Sequence, residues 1–256
     1  MDIHKSAVIS PKAEIGKDVV IGPFAVIEED VVIDDGTSIG SSVLVASGTR
    51  LGKNCRVFHS AVLGTVPQDL KFGGEKTTLE IGDNTTIREF ATLNRGTTDH
   101  WKTVVGSNCL LMAYTHVAHD CTIGNNVVMA NCVNLAGHVT IEDNVGIGGL
   151  CPIHQFVRIG QHTFLGGGYR VPKDVPPYIL AMGEPLRYGG LNRIGLKRRG
   201  FSDETLNLLK KSYRIIYQTN LNLKDALQKV EDDVEPISEV KEVVSFFRKS
   251  ERGVIR

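Results

Sequence analysis

Residues 105–159 read VGSNCLLMAYTHVAHDCTIGNNVVMANCVNLAGHVTIEDNVGIGGLCPIHQFVRI, and every sixth residue is aliphatic: Val105, Leu111, Val117, Ile123, Met129, Leu135, Ile141, Ile147, Ile153 and Ile159. Followed outward in the same phase, the series starts at Ile9 and ends at Val171. Only Asp69, Glu75 and Asp99 interrupt it, and these acids mark two excursions, near 65–80 and 98–104. Four residues after each aliphatic stands a second, smaller residue, such as Ala13, Val19, Ala25, Cys55, Cys109, Cys121 and Cys151. A six-residue period is neither the 3.6 of an amphipathic helix nor the plain alternation of a strand. It fits a short strand plus a corner. The residue after the aliphatic is often Gly, Ala or Asp, which reads as the tight point of that corner.

Three such units close a triangular coil of 18 residues with its aliphatics inward. Coils stack at about 4.8 Å, shield one another's strand edges and need caps at the ends. The expected fold is therefore mainly β, a hexapeptide-repeat parallel β-helix over 1–180. The period stops after Pro176-Pro177. Ser202-Asp203-Glu204 reads as a helix start, and two further helical stretches follow near 223–232 and 237–250. Residues 181–256 are thus expected to form a small C-terminal α-helical domain that caps the last coil.

Composition narrows the function. Lys and Arg number 29, as do Asp and Glu, so no broad basic face for nucleic acid is expected. Five cysteines without a CxxC suggest neither a disulfide framework nor a zinc module, and four of them fall in the small inward slot as buried spacers. No apolar run is long enough for a signal peptide or a membrane span, which points to the cytoplasm.

The chemistry concentrates at four histidines. Residues 18 apart stack on one edge, so His119, Gly137 and Gln155 form one column. Asp120, His138 and Phe156 form the next, and Ala118, Ala136 and His154 the third, with His116 close by. Imidazole is a good general base near neutral pH. Gly137, lacking a side chain, offers its N–H to an oxyanion. Asp120 could orient His119, although neighbours in extended chain diverge. Singly, such histidines are solvated corner residues. Together they are a site, with metal binding as the rival use of the same cluster. His4, His59, His100 and His162 are read as structural or solvated.

The segment HVAHDCTIGNNVVMANCVNLAGHVTIED (116–143) resembles the core of the UDP-N-acetylglucosamine O-acyltransferases that begin lipid A synthesis. So do PQDLKFGGE (67–75), IGDNTTIREFATLNRGT (81–97), IHQF (153–156), DVPPY (174–178), GLKRRGFS (195–202) and the final RGVIR. The similarity runs nearly end to end. It implies a left-handed β-helix, against the usual crossover preference. It also implies transfer of a (R)-3-hydroxyacyl chain from acyl carrier protein to the 3-position of UDP-N-acetylglucosamine by direct, general-base-assisted attack.

In this likeness His119 matches the base, Gly137 the oxyanion donor and Asp120 the support for His119. Asp69, Lys71, His116, His138, His154, Gln155, Asn192, Arg198 and Arg199 match substrate contacts, and Gly167 a chain-length determinant two to three coils beyond His119. No cofactor is implied beyond the carrier protein's phosphopantetheine, and no metal. The partners implied are acyl carrier protein, a UDP-amino sugar and two further copies in a homotrimer, whose contacts would use outward residues such as Phe58, Phe72, Met112 and Phe156.

Arg198 and Arg199, with Lys197, suit a diphosphate on their own chemistry, although such a run also serves as a solvated helix face. Lys210, Lys211 and Arg214 form one helical face suited to an acidic carrier protein. One departure stands out: the family often carries an acid two residues after the asparagine, where this chain has Ile194. Rival readings are the N-acyltransferase acting later in the same pathway, an acetyl-CoA-dependent relative, a zinc-dependent carbonic-anhydrase-like hydratase and a non-catalytic β-helix scaffold.

Overall fold

The computed structural model describes residues 1–256. Three sheets form the walls of a triangular prism. The first wall starts at Asp2–Ile3 and has 11 strands; the second runs from Val8–Ile9 to Pro152–Ile153 and the third from Glu14–Ile15 to Arg158–Ile159, with 8 strands each. Most strands are two residues long, an outward residue and then the inward aliphatic. Successive coils pair in parallel and in register, as Val8 with Val26 and Ile9 with Ile27. Ile21, Ile27, Ile33, Ile39, Leu51, Leu63, Ile87, Leu93 and Leu111 are fully buried, and their burial down one axis makes a single continuous core. The fold is a left-handed parallel β-helix, mainly β, with helices only near its C-terminal end.

The phase survives both excursions because each is a whole number of hexads. Leu51 pairs with Ile81, 30 residues on instead of 18, so 12 are inserted. Leu93 pairs with Val117, 24 residues on, so 6 are inserted. Both excursions leave the corner between the second and third walls.

The turn of each corner lies two residues later than the glycine pattern suggests. The left-handed residue is the third after the aliphatic, as at Asp18, Phe24, Asn54, Asp120, Asn126, His138 and Phe156. The glycines directly after the aliphatic answer a different need. A Cβ on Gly16 would sit 2.7 Å from the Asp35 nitrogen, and one on Gly148 2.4 Å from that of Gly167. Those positions are small because coils touch there. Cys55, Cys109, Cys121 and Cys151 are buried and unpaired, and burial pushes the Cys121 thiol up to about 12.

Beyond the last full coil the first wall continues. Phe164 pairs with Leu180, and strands Ile179–Met182 and Arg187–Leu191 form an antiparallel hairpin that belongs to that sheet. Helix therefore begins at Arg193, not at 181. α1 spans Arg193–Arg198, α2 Asp203–Gln218, α3 Leu223–Asp233 and α4 Ser238–Lys249. Ser202 caps α2 as its sequence suggests, its side chain accepting from the Thr205 N–H at 3.1 Å. The short α1 is capped by the Asn192 side chain, but at six residues it carries no apolar period to announce it.

Contacts at several places join the parts, among them the buried Tyr213 hydroxyl, which donates to the Pro177 carbonyl, and the Arg158 guanidinium over the Phe246 ring. His162 stacks on Tyr178 and packs against the edge of Phe201, with centroids 5.7 and 5.0 Å away. At the far end the buried Asp174 carboxylate accepts from the Arg158 N–H at 2.8 Å and the Ser250 hydroxyl at 2.7 Å, while Val254 bridges to Asp174.

Candidate active site

The corner between the second and third walls carries the histidine columns. His119 and Asp120 follow the second-wall strand His116–Val117, and Gly137 and His138 follow Asn134–Leu135 one coil on. The left-handed backbone at Asp120, φ 58°, rotates its side chain back toward its neighbour. The divergence expected of adjacent extended residues is thereby cancelled, and His119 Nδ1 donates to Asp120 Oδ2 at 2.8 Å.

Asp120 is almost fully buried, at 1% exposure. Burial by itself would raise its carboxyl. Hydrogen bonds from the Thr97 hydroxyl, from His119 and from the Thr97 N–H outweigh that and hold it below the ordinary value. The carboxylate is therefore an acceptor, and the His119 atom hydrogen-bonded to it is Nδ1, which leaves Nε2 on the opposite side of the ring outside the pair. The His119 ring lies over Gly137: a Cβ there would stand 2.6 Å from His119 Cε1 and 2.8 Å from Nε2. The Gly137 N–H has no acceptor in the chain. Along the neighbouring edge the equivalent Asn125 N–H donates to Asp143 Oδ1 at 2.7 Å.

His138 stands edge-on to His119, 5.1 Å between centroids, and stacks on Phe156 at 4.6 Å. Burial lowers its pKa, so it is neutral at neutral pH. Burial lowers His116 likewise, and His116 Nδ1 meets the Thr92 hydroxyl at 2.7 Å. His154 and Gln155 are exposed on the same corner one coil beyond Gly137, with His154 Nδ1 donating to the Gln155 carbonyl at 3.1 Å. Asp69 and Lys71 occupy the first excursion, which leaves this corner, and the Lys71 N–H donates to Asp69 Oδ1 at 3.0 Å.

The other expected residues lie on other corners. Asn192 caps α1: its Oδ1 accepts from the Gly195 N–H at 3.2 Å and its Nδ2 donates to the His162 carbonyl at 2.9 Å. Much of that amide is thus committed to structure. Arg199 Nε donates to Asn144 Oδ1 at 3.2 Å, on the corner between the third and first walls. Arg198 is exposed with no ion pair, whereas Lys197 is held by Asp203 at 2.9 Å. Gly167 follows Phe164–Leu165, on the corner between the first and second walls. One chain does not bring these three groups together.

Thr97, His100 and Thr92 belong to the site and had no signal of their own in the sequence. His100 packs edge-on to His138 at 5.5 Å, and its Nδ1 lies 3.2 Å from the Asp120 carbonyl oxygen. It is part of the site and not a merely solvated residue. Asp99, breaking the repeat, marked the excursion but not its folding back onto Asp120.

Ligating atoms of His119, Asp120 and His138 lie within 4.8 Å of one another. The donor set does not suit a metal. Asp120 Oδ2 already accepts from Thr97 Oγ1 at 2.6 Å and from His119 Nδ1, and Oδ1 accepts from the N–H groups of Thr97 and His100 at 2.9 and 3.3 Å. A cation would have to break the pair that orients His119.

Comparison with known proteins agrees with this architecture. The bacterial transferase hexapeptide model matches residues 12–47 and 102–137, and the second-domain model of the UDP-N-acetylglucosamine O-acyltransferases matches 174–255. The LpxA structure of Acinetobacter baumannii superposes with a TM-score of 0.96 at 42% identity, over 99% of each chain. The UDP-N-acetylglucosamine acyltransferase of Francisella novicida does so with a TM-score of 0.96 at 37% identity, over 99% of this chain and 94% of its own. The acyl-[acyl-carrier-protein]–UDP-N-acetylglucosamine O-acyltransferase of Herminiimonas arsenicoxydans is 45% identical over 99% of both chains. That of Thermodesulfovibrio yellowstonii is 48% identical over 100% of this chain and 99% of its own. With identity at that level from end to end, the chain belongs to the acyl-[acyl-carrier-protein]–UDP-N-acetylglucosamine O-acyltransferase family.

Proposed function

We propose that this protein transfers a (R)-3-hydroxyacyl chain from acyl carrier protein to the 3-position of UDP-N-acetylglucosamine, the first step of lipid A biosynthesis. The observation that carries the chemistry is the Asp120–His119 pair, 2.8 Å apart, with the ring laid over Gly137. His119 Nε2 takes the proton of the sugar 3-hydroxyl as its oxygen attacks the thioester carbonyl. The Gly137 N–H meets the developing oxyanion. Collapse expels the phosphopantetheine thiolate, which takes the proton back from His119, leaving O-acyl sugar and free carrier thiol. No covalent enzyme intermediate is needed, and positioning and general-base catalysis supply the rate. His116 and His138, both neutral through burial, line the sugar and acyl groups beside the base.

The remaining roles follow the distribution over corners. Asp69, Lys71, His154 and Gln155 lie above and below His119 on its own corner and serve the nucleotide sugar. Asn192, Arg198 and Arg199 sit one wall away, where the free Arg198 fork suits a diphosphate. A homotrimer, with the site between neighbouring prisms, is the arrangement that lets all of these act on one substrate. Exposed Phe90, Tyr114 and Leu150 near the edges of the second wall favour such packing. Lys210, Lys211 and Arg214, exposed on α2, are offered to the acidic carrier protein. No helix is long and apolar enough to cross a membrane, and five unpaired thiols fit a reducing cytoplasm.

The test is product detection by mass spectrometry, with UDP-N-acetylglucosamine and a panel of acyl carrier protein thioesters. The expected product is the 3-O-acyl sugar nucleotide. His119→Ala should lower turnover by about 10²–10⁴-fold or more, since general-base catalysis is worth that much. Near wild-type turnover in a folded His119→Ala protein would remove His119 as base, and absence of any acylated product from the wild type would end the reading.

A further inference from the structure

The six-residue insertion that follows Thr92–Asn94 has a place in the site that its sequence does not announce. It replaces the coil corner that would otherwise stack on His119 and Asp120, and the loop 95–101 folds over them. Thr97 is 8% exposed and makes two contacts to one carboxylate. Its N–H donates to Asp120 Oδ1 at 2.9 Å and its hydroxyl to Asp120 Oδ2 at 2.6 Å. Oδ2 is the oxygen that His119 Nδ1 uses.

Thr97 is itself fixed. Its carbonyl accepts from the Trp101 N–H at 2.8 Å, which closes the loop, and the preceding Gly96 N–H donates to the Thr78 carbonyl at 3.1 Å. Gly96 has no alternative, because a Cβ there would fall 2.4 Å from the Lys102 nitrogen. From beneath, the buried Thr103 hydroxyl accepts the Asp120 N–H at 2.9 Å and supports the left-handed turn.

We infer that Thr97 is a positioning residue for the catalytic pair, holding the Asp120 carboxylate in the one rotation that keeps Oδ2 on His119 Nδ1. The inference rests on the acyltransfer reading above. A carboxylate turns freely about its terminal torsion unless both oxygens are held. Thr97 holds both, one through its backbone and one through its hydroxyl. The backbone contact survives any substitution, so the hydroxyl decides whether Oδ2 stays aimed. The other ionisable groups facing Asp120 are His119, His138 and His100, with Asp99 beyond His138 at 3.7 Å. None of them replaces a neutral donor on Oδ2. His138 Nε2 is the nearest candidate, and at 3.9 Å it is out of hydrogen-bond range.

The test compares Thr97→Val, which keeps shape and loses the hydroxyl, with Thr97→Ser, which keeps the hydroxyl. Thr97→Val should lower kcat about 10-fold or more, the scale of one hydrogen bond to a charged group. The KM for UDP-N-acetylglucosamine should hold. The acid limb of the kcat/KM profile should move to lower pH, because a carboxylate that turns away no longer stabilises the protonated base. Thr97→Ser should restore kcat to within about threefold of wild type and return the limb to its place. A folded Thr97→Val enzyme with wild-type kcat and an unmoved limb would overturn the inference. Equal impairment of both variants would do the same, since it would mean that only loop packing matters. In either case an active wild type leaves the acyltransfer reading standing. An inactive wild type removes both.

Discussion

His119 and Asp120 are adjacent, and in extended backbone adjacent side chains point to opposite sides. The single left-handed residue at Asp120 makes them partners instead. Residue type at this slot gives little warning of the conformation, because the same φ is taken by Phe24, Asn54, His138 and Phe156. Gly137 is clearer. Its backbone is ordinary, so the absence of a side chain serves only the His119 ring lying 2.6 Å from where a Cβ would be. Gly137→Ala should therefore push the ring off its line to the substrate without straining the main chain. A displacement of about 1 Å in a catalytic group is worth on the order of 10²-fold in rate. Steady-state kinetics on the alanine variant should show kcat falling by that order while its thermal midpoint stays near wild type. If kcat were retained, the ring would tolerate a range of positions and Gly137 would matter only through its N–H.

Among the elements, the joint between the prism and the helices carries a group that makes it sensitive to acid. His162 lies between Tyr178 and Phe201, its Nδ1 buried without a partner, and burial with Arg199 nearby pulls its pKa down to about 4. An unfolded histidine titrates near 6.5. Between those two values the unfolded chain binds a proton that the folded chain refuses, so stability falls as pH drops from about 6.5 toward 4 and is undisturbed by this group above that window. The full loss is on the order of 3 kcal/mol. Denaturant unfolding at pH 7 and pH 4.5 should show the decline in the wild type and a flatter dependence in His162→Phe, which keeps the stack and cannot titrate. Parallel decline in both would assign the acid sensitivity elsewhere. The elements themselves were unevenly legible. The walls could be read because each strand's inward aliphatic repeats in phase even across insertions of 12 and 6 residues. α2 could be read from its Ser202 cap. The hairpin Ile179–Met182 with Arg187–Leu191 and the six-residue α1 could not, because neither carries a period and both are set by docking onto the last coil. Thr97 and His100 were hidden for a related reason: a loop out of phase has no column from which its neighbours can be counted.

At the scale of the whole molecule, the hexad count decides which residues share a corner. His119 and Gly137 are three hexads apart and stack; His119 and Gly167 are eight apart, which is not a multiple of three, and the structure puts Gly167 on the corner between the first and second walls. An acyl chain leaving His119 along the axis therefore meets Gly167 only across a subunit boundary, as the proposed trimer provides. The axial separation is a little under three coils, and at about 4.8 Å a coil it leaves room for roughly ten methylenes before the Gly167 level is reached. On the proposed reading glycine leaves the acyl path open at this level, so 3-hydroxyacyl chains of about 14 carbons or more should be preferred, each buried methylene adding up to about 0.8 kcal/mol. Gly167→Met should block the proposed acyl path at that level. Its Cβ would come 3.1 Å from the Gly149 carbonyl oxygen, a tight fit that a small shift relieves, and its φ is ordinary. Competition between carrier-protein thioesters of graded length should then show the preference moving toward about 10 carbons, the same ten-methylene reach, with turnover on the short donor retained. The proposed base His119 and oxyanion donor Gly137 are untouched by the change, so loss of all activity is not expected. A length profile identical to wild type, in a protein of normal thermal stability, would mean that the chain ends against another residue.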